Sequence, residues 1–136
     1  MQIRQATTTI SLNASELTVT RGAIRPKGTT EWTLAAEQRL ETALERLHLQ
    51  FAAALQPGEY ELHLVFSGAL NDNMAGFYRS EYTNTAGEKR NMAVTQFEAT
   101  DARKAFPCWD EPARKAVFQV RCSSRALVSA MSCTLS

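Results

Sequence analysis

Alternation of apolar and polar positions runs along most of the chain and predicts strands. Residues 7–12 are β-branched and alternating up to the turn-prone triplet Asn13-Ala14-Ser15. Residues 16–20 resume the pattern, so these two runs are expected to be neighbouring strands, followed by a Pro/Gly loop over 25–28. Between Trp32 and Leu55 two periods compete. Leu40, Ala43, Leu44 and Leu47 recur at helical spacing, whereas Leu47, Leu49, Phe51, Ala53 and Leu55 alternate with His48 and Gln50 on the other face. The second pattern predicts a strand over 46–54, and 33–43 stays open between helix and strand. A turn over 56–59 leads into a strand with Tyr60, Leu62, Leu64 and Phe66 on one face and Glu61 and His63 on the other.

Gly68 and Gly76 flank a loop holding Asn71 and Asp72, and residues 76–82 form an aromatic strand. A polar connection over 83–90 returns as a strand over 91–97. Thr100 or Asp101 is expected to cap a helical turn over 102–105, and Asp110 is a second cap candidate with Pro112 in the first turn beyond it. A last clear strand covers 116–120. The pattern as a whole is all-β with short helical turns.

Composition changes this picture little. The chain has 136 residues, 44% hydrophobic and 21% charged, which fits one soluble domain with a core of its own. A formal net charge of +1 gives no general attraction to nucleic acid or to an anionic membrane. No apolar run has the length of a membrane span, and residues 1–5 lack a secretory layout, so a cytoplasmic location is expected. Cys108, Cys122 and Cys133 show no C-x-x-C spacing and are expected to be buried thiols.

Candidate chemistry concentrates near residue 100. If residues 96–98 are extended, Gln96 and Glu98 point to one side and Phe97 to the other, and an amide beside a carboxylate forms a compact receptor for an ammonium group. A solvated strand face over a buried Phe explains the same pattern. Asp110 and Glu111 are adjacent and diverge in direction, which favours a cap over paired acid/base work. Arg103 and Lys104 are expected to be solvated charges, and Phe106 and Trp109 to pin their loop by burial. His63 has no second ligand at useful spacing for a metal.

Two longer motifs carry a resemblance. Thr95-Gln96-Phe97-Glu98-Ala99-Thr100-Asp101-Ala102-Arg103-Lys104-Ala105-Phe106-Pro107-Cys108-Trp109-Asp110-Glu111-Pro112 and, upstream, Leu70-Asn71-Asp72-Asn73-Met74-Ala75-Gly76-Phe77-Tyr78-Arg79-Ser80 resemble, in order and spacing, signatures of the zinc aminopeptidases of the puromycin-sensitive and alanyl-aminopeptidase type. The similarity spans about residues 7–120. It implies a saddle-like β-sandwich, the N-terminal domain of such an enzyme, in which Glu98 binds the α-amino group of a peptide substrate and Gln96 lines the pocket for its first side chain. In the family, zinc is held by H-E-x-x-H and a later Glu. The two histidines here, His48 and His63, belong to no such motif, and the G-A-M-E-N loop is also missing. The resemblance therefore implies that zinc belongs to the complete enzyme, and that this chain alone supplies neither metal ligands nor catalytic residues.

After Arg121 the sequence leaves the family pattern, so 121–136 is expected to be a divergent tail, and both ends to be cuts through a single incomplete domain. Strand edges left open by such cuts would allow self-association. The rival reading is a non-catalytic β-sandwich interaction module or a truncated gene product.

Overall fold

The computed structural model describes residues 1–111, 113–125 and 128–135. It is all-β, with eleven strands among these residues: β1 (Gln2–Ile3), β2 (Thr7–Asn13), β3 (Leu17–Pro26), β4 (Thr33–Leu34), β5 (Glu37–Glu41), β6 (Arg46–Leu55), β7 (Gly58–Ala69), β8 (Gly76–Thr83), β9 (Lys89–Gln96), β10 (Phe118–Arg125) and β11 (Val128–Leu135). One helical turn, α1 (Ala102–Ala105), follows β9.

A larger antiparallel sheet runs β10-β11-β7-β3-β4, with β1 also paired to β7. A second sheet runs β2-β6-β5, and β8 and β9 form a separate hairpin. The two larger sheets bury their facing side chains against each other. Ile10 and Leu12 of β2 and Leu47, Leu49 and Phe51 of β6 meet Leu17 and Ile24 of β3 and Leu62, Leu64 and Phe66 of β7. Each such side chain contributes roughly 1.5–3 kcal/mol by burial. At Gly22 the two sheets approach closely, because a Cβ there would lie 2.8 Å from Leu49 Cδ2.

Alternation identified the strands but not always their neighbours. β2 and β3 follow one another yet lie in different sheets: β2 pairs with β6, β3 with β7. The chain crosses between layers at Ala14, which is fully buried, and at Glu16, whose φ is +58°. The loop expected over 25–28 shrinks to a turn at Lys27 and Gly28, since Arg25 and Pro26 still pair with Glu61 and Tyr60. The open segment 33–43 resolves into β4, β5 and a 3₁₀ turn, Thr42–Leu44. In β6 the expected inward position of Ala53 is exposed. The β2–β6 register slips there, from Thr9 opposite Gln50 to Thr7 opposite Leu55, and the slip breaks the alternation.

The last clear strand begins at Phe118, later than expected. In the tail, β11 pairs with β10 on one side and with β7 on the other. Cys108 is buried, whereas Cys122 is exposed, because it sits on the outer strand β10 of the sheet. The Cys133 side chain and Pro112 lie outside what is described.

Candidate functional site

The hairpin β8–β9 brings the two sequence motifs together. Its register sets Gly76 opposite Gln96 at one end and Thr83 opposite Lys89 at the other. Ahead of it, residues 71–79 fold on themselves. Asn71 donates through Nδ2 to the Ala75 carbonyl at 2.9 Å and accepts from the Asn73 amide at 2.8 Å, and Arg79 grips both oxygens of Asp72 at 3.0 and 2.8 Å. Gly76 then starts β8 at φ +71°, against α1. A Cβ at this position would lie 2.6 Å from Lys104 Cβ and 3.1 Å from the Asp101 carbonyl oxygen. Only glycine meets both demands.

β9 ends at Gln96, so Glu98 is not in extended chain as expected. It opens a turn over 98–100 whose ends are joined by the Asp101 amide donating to the Phe97 carbonyl at 3.0 Å. The Glu98–Ala99 peptide in this turn is cis. The alternation of strand side chains therefore does not relate Gln96 to Glu98. Both side chains are exposed, and half-buried Phe97 packs edge-on against Phe106, with ring centroids 5.7 Å apart.

Arg103 fixes the turn to the sandwich, which corrects the expectation of a solvated charge. Its Nε lies 3.0 Å from Asp110 Oδ2 and its Nη1 3.1 Å from Glu45 Oε2, and its side chain is 15% exposed. Ser15 donates to the other oxygen of Glu45 at 2.7 Å, while the Ser15 amide donates to the Arg103 carbonyl at 2.9 Å. Ser15, foremost, and then Arg103 hold the Glu45 carboxyl below its ordinary 4.5, against an opposing effect of burial. Lys104 pairs with Asp101 at 3.1 Å.

The cap of α1 also differs from expectation. Neither Thr100 nor Asp101 supplies a side-chain bond, since Asp101 has helical φ and ψ of −101° and −2°. An N-cap needs the extended region to turn its side chain back onto the first amides. Asp110 does this from outside, with Oδ2 3.4 Å from the Arg103 amide. Asp110 thus caps the helical turn before it, and Glu111 meets Arg114 at 3.6 Å, so the two acids do not form a catalytic pair. The following loop lies along β2. Cys108 and Asn13 exchange backbone bonds of 2.7 and 3.0 Å, and the Trp109 indole donates to the Ser11 carbonyl at 2.9 Å.

Sequence reasoning pointed to Gln96, Glu98, Phe106 and Trp109 but missed Gly76, Ser15, Glu45 and the anchoring role of Arg103. The one signal available was the Gly inside the upstream motif.

No three His, Cys, Asp or Glu side chains among the described residues converge as a metal ion requires. His48 faces Ser11 Oγ at 2.8 Å and Glu41 Oε2 at 3.2 Å in the smaller sheet. His63 sits in the other sheet, its ring 5.5 Å from that of Trp32. These residues do not fit zinc. No helix among the described residues is long and apolar enough to cross a membrane.

The peptidase M1 N-terminal domain family matches residues 1–135. Aminopeptidase M1-A of Oryza sativa subsp. japonica is 49% identical over 111 residues, 80% of this chain and 12% of that protein. Aminopeptidase Ey of Gallus gallus is 56% identical over 82 residues, 60% of this chain and 8% of its own length. Puromycin-sensitive aminopeptidase of Caenorhabditis elegans is 39% identical over 119 residues, 87% of this chain and 12% of its own. The matched part of the chain thus spans between about a twelfth and an eighth of the length of these relatives.

Proposed function

Because the chain belongs to the peptidase M1 N-terminal domain family, we propose that it is the substrate-gripping part of a longer cytoplasmic zinc aminopeptidase, acting on peptides with a free N-terminus. Glu98 receives the α-ammonium group and Gln96 borders the pocket for the first side chain.

One observation supports this most. Among the described residues, Asp101, Asp110 and Glu111 each have a cationic partner, whereas Glu98 has none. Its turn is held at both ends while its carboxylate stays open to an external cation. An ammonium enclosed against it satisfies the charge, and a blocked N-terminus leaves the carboxylate unpaired, which restricts cleavage to the first peptide bond. Zinc, which supplies an activated water in such enzymes, belongs on this proposal to ligands outside these residues.

The test uses the longest product that contains this chain. Glu98→Gln should lower kcat/KM on aminoacyl reporter substrates about a hundredfold at unchanged zinc content, the equivalent of a lost charge-assisted bond of about 3 kcal/mol. Unchanged kcat/KM removes Glu98 from the site.

The rival reading, a module that binds without catalysis, draws on the exposed apolar side chains Tyr82, Met92, Val117 and Val120. It requires that no longer product hydrolyse these substrates.

A further inference from the structure

A cleft of about 650 Å³ opens between the start of the chain and the segment after the Trp109 loop, lined in part by Gln2, Arg4, Trp109, Arg114 and Lys115. Its two walls come from opposite ends of the sequence. On one side β1 is fixed by the pairing of Gln2 with Glu59 and Ile3 with Gly58. Ile3 is buried, so its neighbours Gln2 and Arg4 are turned outward. On the other side the half-buried Trp109 indole is locked by its bond to the Ser11 carbonyl.

The charge of this cleft is one-sided. Arg4, Arg114 and Lys115 line it, and no carboxylate is among its described lining residues. Among the described residues Arg4 and Lys115 have no anionic partner, and Arg114 has only the exposed Glu111 at 3.6 Å. In a chain with a formal charge of only +1, three cations line one opening, and one exposed ion pair is their only compensation among the described residues. An anion in the opening is attracted by all three. Two guanidinium forks match the oxygens of a phosphate, and a fixed indole offers a flat surface to a ring.

We propose that this cleft binds a small organic dianion, a phosphate monoester carrying a flat ring. Arg4, Arg114 and Lys115 hold the phosphate and Trp109 receives the ring. The site is independent of Glu98 and of any peptidase activity.

Adenosine monophosphate is a suitable probe, with adenosine and inorganic phosphate as its two halves. It is titrated into the full chain at low ionic strength in a Trp32→Phe background, so that fluorescence reports Trp109 alone, and the affinity is checked by calorimetry. Saturable binding is expected, tighter than either half by at least about tenfold and weakened by salt. Arg4→Gln and Lys115→Gln should each weaken it about tenfold, the loss of one charge-assisted contact. Both positions are exposed, so the unfolding midpoint should not move and lost binding reads as lost recognition. Absence of saturation at millimolar probe, equal affinity for adenosine or for inorganic phosphate, or indifference to the two substitutions would overturn the proposal.

Discussion

Gly76 and Lys104 approach more closely than any side chain on residue 76 would allow, with 2.6 Å between a Cβ placed there and Lys104 Cβ. This contact seats the hairpin carrying Gln96 on the helical turn that follows Glu98. Gly76→Ala meets both a positive φ and a collision, and should cost about 2–4 kcal/mol. Gly87→Ala is the control, because Gly87 has φ +80° but nothing within 4 Å of an added Cβ. It should cost about 1–2 kcal/mol. Urea denaturation of both variants separates the docking contribution from the backbone one.

Arg103 is the second clamp. Arg103→Met would leave Asp110, 11% exposed, and Glu45, 40% exposed, without their cation. Discounted for solvent at Glu45, the loss should be about 1–3 kcal/mol. Arg103→Lys should recover only part, since a single ammonium cannot reproduce a fork that reaches two carboxylates. The relative unfolding midpoints of the three proteins check this order.

Acid should weaken the fold through two groups, with onsets near their ordinary values of 6.5 and 4.5. Burial, and secondarily Arg21, lower the His63 imidazole below its ordinary 6.5. The unfolded chain then takes up that proton more readily, so this contribution is complete above pH 6.5 and falls as pH drops below it. The Glu45 carboxyl is lowered from 4.5. Its contribution is present above 4.5 and is lost as pH falls through the lowered value. Thermal melts across pH should show both declines. His63→Gln should remove the upper one and Ser15→Ala should shrink the lower one.

Glu98 should be dispensable for folding. Its side chain is exposed and makes no ion pair among the described residues. Glu98→Gln should therefore change stability by less than about 0.5 kcal/mol. Chemical denaturation of this variant shows whether any loss of turnover in the longer protein reflects chemistry or unfolding.

The strands were legible where one face is buried throughout, as in Tyr60, Leu62, Leu64 and Phe66 of β7. Alternation reports which face a residue occupies and says nothing about which strand lies alongside. That is why β2 and β3 were read as neighbours, and why the Ser-rich tail gave no sign of its place beside β7. In the candidate site the residue types were readable and the joints were not. Arg103 meets Glu45 across 58 positions of sequence. Such a pairing has no local period, and a charged residue on a short helical turn looks solvated until the fold supplies its partner. Glu98 was read as part of a strand because the turn after Gln96 depends on the Asp101–Phe97 bond, which apolar spacing does not encode.

The position of β7 constrains how this domain can be made. It pairs with β1, β3 and β11, and its Leu62 finds Leu135 at the far end of the described chain. During synthesis at roughly 5–20 residues per second, β7 leaves the ribosome with β3 already available on one side and β11 still untranslated. For several seconds its other edge is an open template, and the hydrogen bonds that close it are among the most distant in sequence that the domain forms. Folding yield should therefore depend on elongation speed over the stretch between β7 and β11 more than on speed before it.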